Sequence, residues 1–266
     1  MTKTAIVTLA IGEPYRQRFE QLCRRNWAAY AERHGFDLTV YEQPLDVSER
    51  ARARSPAWQK CLVLGTPELA GYDRVVWVDS DILINPAAPS ILDGVPQERI
   101  GTTDEHAFPA REIRHVLLQQ IIAAAPQTGP FNADYWRGWL DAGGWHAWLG
   151  LPSGHKHIVQ TGVLVMSPKH HRDILEHVYR GYEDRGFNYE MRPLSHEIQA
   201  HALQHWIDPR FNALLWWMFL AESQRGTAID TEDDMRDFLR ESLRRSYFLH
   251  FAGAAHLMAM LDDVAR

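Results

Sequence analysis

The stretch Tyr72-Asp73-Arg74-Val75-Val76-Trp77-Val78-Asp79-Ser80-Asp81-Ile82-Leu83-Ile84-Asn85-Pro86 decides how this chain is read. Val75 to Val78 is an unbroken apolar run of strand length, the pattern of a parallel strand covered by helices on both faces. It leads straight into Asp79 and Asp81. In extended backbone, residues two apart point the same way, so the two carboxylates converge on one point. Like charges that close repel, and at the rim of a core the repulsion is poorly screened. A hard divalent cation bound by carboxylate oxygens relieves it, and the carboxyl end of a parallel strand is where open α/β sheets take their ligands. The competing reading of Asp-x-Asp is a strand end, a cap and a solvated turn. The buried strand before it and the second apolar run, Ile82 to Ile84, favour the metal.

Outward from this stretch, the chain alternates strands and helices. Thr4 to Ala10 reads as a strand, and Ile11-Gly12-Glu13-Pro14-Tyr15 as the turn after it. Arg16 to Gly35 reads as a helix closed by glycine, and Phe36 to Tyr41 as a second strand. A β-α-β start of this kind implies a parallel sheet with right-handed crossovers. Pro56 to Leu69 is expected as a helix with Trp58, Cys61, Leu62 and Leu64 inward, and Ile91 to Val95 as a short helical turn. Ile100 to Thr103 is expected as a strand arriving at Asp104-Glu105. Between His106 and His157 the pattern loosens into one helix, about Arg111 to Ala125, and a Gly-rich stretch carrying Trp136, Trp139, Trp145 and Trp148. Those tryptophans either stack on sugar rings or pack on one another. His157 to Met166 reads as a strand whose Gly162 signals close approach by a ligand or another backbone. Pro168 to Tyr182 and Leu194 to His205 read as helices, the second capped by Ser195. Phe211 to Leu220 reads as core, Thr231 to Arg244 as an exposed helix with a capping box, and Tyr247 to Gly253 as a last short strand.

Bulk properties exclude other classes. The 266 residues are 45% hydrophobic and 23% charged, the balance of one ordinary globular domain. A net charge of -6 and the lack of a basic stripe argue against a nucleic-acid partner. No apolar run is long enough for a transmembrane segment, and none forms a leader before the first strand. Cys23 and Cys61 fall in amphipathic stretches and read as reduced core thiols. A cytoplasmic location is expected.

The ordered set HGFDLTVYE, SPAWQK, VWVDSDILINP, QTGVLVMSP, LSHEIQ and LHFAG resembles the GT-A fold nucleotide-sugar glycosyltransferases. The nearest are the retaining, metal-dependent galactosyl/mannosyl/xylosyl transferase families, with glycogenin-like enzymes more distant. The resemblance spans most of the chain apart from His106 to Lys156. It implies a single α/β domain with a Rossmann-like, mixed, mainly parallel sheet flanked by helices. Residues 1–104 would form the nucleotide-binding half with the Asp-x-Asp motif, and 105–266 the acceptor half with a C-terminal His ligand.

By the same resemblance, Asp79 and Asp81 hold Mn²⁺ or Mg²⁺ and His250 supplies a third ligand, against the bland reading of a core or capping histidine. Mixed carboxylate and imidazole ligation suits Mn²⁺. Ser80 falls near the ribose, and Thr8, Ala10 and Ile11 face base and ribose. Tyr15 is either a stacking partner or a helix-start residue. Lys60 contacts phosphate or sugar, or is a solvated helix lysine. Asp104 meets the donor sugar or caps a turn, and Gln160 lies near the anomeric carbon. Glu197 reaches the donor sugar or is a first-turn carboxylate favoured by the helix dipole. One departure stands out. Gly253, in the late motif, is followed by Ala254-Ala255-His256, so the lysine that contacts the diphosphate in the family is missing. Protonated His256, Lys60 or an arginine would have to compensate.

The expected activity is transfer of a sugar from a nucleotide-sugar, a UDP-hexose, to a carbohydrate or other hydroxyl acceptor with retention. Two rivals remain: a non-catalytic sugar- or nucleotide-binding module on the same fold, and a sugar-phosphate nucleotidyltransferase. The latter needs a first loop rich in Gly and basic residues, which Ile11-Gly12-Glu13-Pro14-Tyr15-Arg16-Gln17 does not provide.

Overall fold

The computed structural model describes residues 2–152, 154–183, 186 and 188–262. Its main sheet has six strands in the order β2 (Asp37–Tyr41), β1 (Thr4–Leu9), β3 (Arg74–Val78), β6 (Val159–Met166), β5 (Ile100–Asp104), β7 (Gln204–Trp206). Neighbours pair in parallel except at β6, which runs antiparallel to both β3 and β5. The sheet is therefore mixed and mainly parallel, as expected, and strands from both halves of the chain share it.

Alternation along β3 explains why its run carries no polar residue. Val76 and Val78 face one apolar cluster with Phe19, Cys23, Trp27, Leu239 and Leu243. Val75 and Trp77 face the other, with Trp58, Cys61, Leu175, Leu194 and Ile198. Helices cover both faces, so both parities must be apolar. Cys23 and Cys61 are free and buried. No described helix is long and apolar enough to cross a membrane.

A second, three-stranded sheet, β4 (Ile82–Ile84), β9 (Phe248–His250) and β8 (Ala213–Leu214), joins the tail to the organising stretch. β4 and β9 are antiparallel, with Ile82 opposite His250.

Several boundaries differ from expectation. The first helix starts at Glu13, with Pro14 in its opening turn, and widens into a π turn at Phe19–Cys23 before Arg24–His34; Gly35 closes it at φ 68. Pro56–Gly65 winds as a 3-10 helix and stops before Pro67. The helix expected at Leu194 to His205 runs instead over Met191–Ala200, so Ser195 lies mid-helix, and Gln204–Trp206 is an edge strand. Ser195 there accepts the Val159 N–H and bonds the His146 ring, which pulls it into the core. The apolar run at Phe211 splits into β8 and the helix Leu215–Gln224. The tryptophan-rich stretch holds two short helices, Ala133–Arg137 and Ala142–Ala147, capped by Asn132 and Asp141. The capping box at Thr231 and Asp234 is present.

Candidate active site between the two sheets

β3 leaves the main sheet at Asp79, whose N–H still donates to Gly162 O at 2.8 Å. The chain turns at Ser80 and enters β4 in the small sheet. Pairing there carries the tail back, and the Phe251 N–H donates to Asp81 O at 2.9 Å. His250 thereby lands beside Asp81, with Nε2 3.2 Å from Oδ1. One ligand atom each from Asp79, Asp81 and His250 lie within 4.8 Å of one another.

The backbone around the aspartates is pinned by the first helix. The Trp27 indole donates to Ile82 O at 2.9 Å, Asn26 exchanges two bonds with Ile84, and Cys23 Sγ lies 3.5 Å from Ser80 O. Cys23 is thus a structural thiol, and burial pushes its pKa up.

The donor set fits a divalent cation. Asn212 Oδ1 accepts a hydrogen bond from His250 Nδ1–H at 2.8 Å, which leaves Nε2 as the ligand atom, the arrangement that outer partners impose on metal-binding imidazoles. Burial opposes a charged His250, yet the Asp81 carboxylate outweighs it and raises the histidine above its ordinary pKa. Burial likewise opposes ionised Asp81, and His250 overcomes it, so the carboxyl is held below its usual range. Carboxylate oxygens with one imidazole suit Mn²⁺.

Gly162 makes room for the imidazole. A Cβ there would sit 2.6 Å from His250 Cε1 and 2.8 Å from Nδ1. The close approach anticipated at this glycine is thus made by a side chain of the tail. Gly162→Ala should lower stability by about 1–3 kcal/mol, as overpacking does, and weaken Mn²⁺ binding by about tenfold or more. Thermal melts and Mn²⁺ titration check both; unchanged metal affinity would refute the spacing argument.

Lys60 is neither solvated nor free. Buried from water, its Nζ donates to Asp79 Oδ1 at 3.0 Å and Thr161 O at 3.1 Å, and lies 2.8 Å from Glu190 Oε1. Burial alone would discharge it, but Asp79 and Glu190 hold it protonated. The Trp77 indole also donates to Asp79 Oδ1, at 2.8 Å.

A cleft runs over this cluster in two compartments that share Asp79 and Asp81. The smaller, about 260 Å³, is lined by Ile11, Tyr15, Arg18, Ser55, Trp77 and Ser80. The larger, about 500 Å³, has Lys60, Glu105, Gln160, Glu190 and His250 at its polar end and Trp136, Trp139, Trp216 and Trp217 along its wall. Trp139, Trp145 and Trp217 also build a third apolar cluster with Leu117, Leu118 and Ile158. Trp145 packs wholly inside, as the packing reading expects, while Trp136 and Trp139 also line the cleft.

The expected site residues distribute unequally. Ile11, Tyr15 and Ser80 line the smaller compartment; Gln160, Lys60 and Gly253 line the larger. Thr8 and Ala10 are fully buried and line neither compartment. Asp104 turns away to bond His157 at 2.7 Å, and its neighbour Glu105 faces the cleft instead. Glu197 bonds the Tyr182 hydroxyl and lies 3.4 Å from His201 Nδ1, and it does not line the cleft, whereas Glu190 does. His256 is exposed and lines neither compartment. The strand ends at Asp104 and Glu105 lies in the turn after it, so strand alternation gives no signal for Glu105.

Glu105 anchors the far wall. It pairs with Arg114 and accepts from the Trp217 indole at 3.2 Å and from Gln160 Nε2 at 2.7 Å. Gln160 Oε1 in turn accepts the Gly162 N–H at 3.0 Å. The amide is oriented at both ends, with one Nε2 hydrogen left for a ligand. Burial lowers the Arg114 pKa to about 10, with Glu105 opposing.

No protein-family model matches this sequence, and no curated protein does. Solved structures do. A glycosyltransferase involved in glycosylation of the major capsid of PBCV-1 superposes with TM-score 0.54 at 15% identity, over 96% of this chain and 99% of that one. The galactosyltransferase LgtC, in complex with donor and acceptor sugar analogs, superposes with TM-score 0.50 at 13% identity, over 98% and 95%. The glycosyltransferase GlyE of Streptococcus pneumoniae gives 0.50 at 11% identity, over 94% of this chain and 55% of its own. The architecture is that of the GT-A glycosyltransferases.

Proposed function

We propose that the protein is a metal-dependent glycosyltransferase that moves a hexose from a UDP-sugar to a hydroxyl acceptor with retention of anomeric configuration. One observation carries this reading: Asp79, Asp81 and His250 converge where a nucleotide-sized compartment meets a larger, aromatic-walled one. The diphosphate would lie across that junction, the nucleoside toward Ile11 and Tyr15, the sugar toward Gln160 and Glu190.

A divalent cation held by the three ligands would supply Lewis-acid stabilisation of the departing diphosphate. The residues do the rest. Lys60 donates to Asp79 and lies against Glu190, holding both carboxyl groups in place, so the site is preorganised. Gln160 offers its remaining N–H to a sugar hydroxyl. Glu190, fixed by Lys60 and by the Thr161 hydroxyl at 3.1 Å, flanks the sugar. In front-face transfer the acceptor oxygen bonds to the anomeric carbon as the bond to phosphate breaks, and the acceptor proton passes to the leaving phosphate. No protein base is required, and positioning supplies much of the rate.

The test is a panel of UDP-sugars with Mn²⁺ or EDTA, read by UDP release, and by NMR of the product anomer once an acceptor is found. Metal-stimulated UDP release supports transfer. Tight UDP-sugar binding without release would establish a binding module instead, and an inverted product would reject retention.

Trp216 is half-exposed on the first turn of the helix Leu215–Gln224 and forms part of the cleft wall. Trp216→Ala should raise the acceptor KM about three- to tenfold, the scale of one aromatic contact, and leave donor hydrolysis unchanged. Equal losses in both would remove Trp216 from the acceptor side.

A further inference from the structure

Charge at the cleft is incompletely balanced by the groups described so far. Two aspartates balance one divalent cation, so a bound nucleoside diphosphate brings negative charge that needs a second positive partner. The basic side chains nearby are committed elsewhere. Lys60 is held by Asp79 and Glu190, and His250 by Asp81 and Asn212. Arg16 pairs with Glu13 and Arg24 with Glu20. Among the described residues, the segment after His250 brings only Ala252 and Gly253 to the wall.

Arg18 is different. It is the one basic residue among those lining the smaller compartment, whose lining also includes Asp79, Ser80 and Asp81. Among the described residues it makes no ion pair or side-chain hydrogen bond; its guanidinium only approaches the Tyr15 ring, 5.7 Å from the centroid. It is half-buried, and immediately precedes the π turn Phe19–Cys23. Single π turns of this kind are frequent at functional sites. Here both ends of the turn, Phe19 and Cys23, are buried in the core, while Arg18 borders the cleft. Cys23, Asn26 and Trp27 tie this helix to the backbone of residues 80–84, so Arg18 is carried on the element that positions the aspartates.

We propose that Arg18 binds the donor's diphosphate as the second positive partner beside the metal, since the described residues after His250 bring only Ala252 and Gly253 to the cleft wall. The inference rests on the proposed function. A guanidinium suits it, because its planar fork presents paired donors to phosphate oxygens and it never discharges.

Calorimetric titration with UDP and ligand-observed NMR with uridine, both with Mn²⁺, test it on the full chain. Arg18→Ala and Arg18→Gln should weaken UDP binding about tenfold or more, the worth of one charge-assisted hydrogen bond. Uridine binding and Mn²⁺ affinity should not change, and Arg18→Lys should recover part of the loss. Wild-type UDP affinity in the glutamine variant overturns the inference, as does a loss shared equally by uridine or Mn²⁺. A wild-type chain that binds no nucleoside diphosphate with Mn²⁺ overturns the proposed function as well, so the two failures are distinct.

Discussion

Asp81→Ala is expected to reduce metal-stimulated UDP release by about a hundredfold or more. Lewis-acid stabilisation of a leaving phosphate is worth several kcal/mol, and each ~1.4 kcal/mol is a factor of ten in rate. Asp81 is the residue through which the metal reading is most exposed to refutation. Its backbone carbonyl is secured by the Phe251 N–H and its neighbours by the β4–β9 ladder, so truncating the side chain should leave the fold intact. Unfolding is separable by circular dichroism. A folded Asp81→Ala protein that releases UDP at the wild-type rate, with and without EDTA, would remove the metal from the mechanism.

The largest stability effect is expected at Lys60. Its ammonium lies between Asp79 and Glu190, with side-chain exposures of 3% for Lys60, 28% for Asp79 and 3% for Glu190. Removing one member of a buried ionic group leaves an uncompensated charge, at a cost of about 3–5 kcal/mol. Lys60→Met should therefore lower the melting temperature by on the order of 10 °C. Pairing it with Glu190→Leu should return much of that stability, because the desolvated carboxylate goes with the cation. Activity should not return with it if Glu190 flanks the sugar. A Lys60→Met protein as stable as wild type would mean that Glu190 is satisfied without the lysine.

Much of the architecture was legible because it is encoded locally. The run at Val75, the helix closed by Gly35 and the capping box at Thr231 each state their conformation within a few residues. The convergence of Asp79 with Asp81 follows from strand geometry, and His250 was found by resemblance and then placed by β4–β9 pairing. Less legible were the carboxylates of the larger compartment. Asp104 and Glu197 were expected at the donor sugar and do not line it, while Glu105 and Glu190 do. Lys60 was expected at phosphate or in solvent, and the structure buries it as a brace between two acids.

By itself the sequence determined a mainly parallel α/β sheet with an acid pair at the end of a central strand, because apolar runs and two-residue periodicity act over neighbouring positions. Only the tertiary structure decided which acids enter the cleft, why Gly162 is a glycine, and that Arg18 lines the compartment of the aspartates with no ion pair among the described residues. A one-residue change of register reverses which side chains face a site, and that register is set by partners distant in the chain: Val159 across from Asp104, Ile82 across from His250.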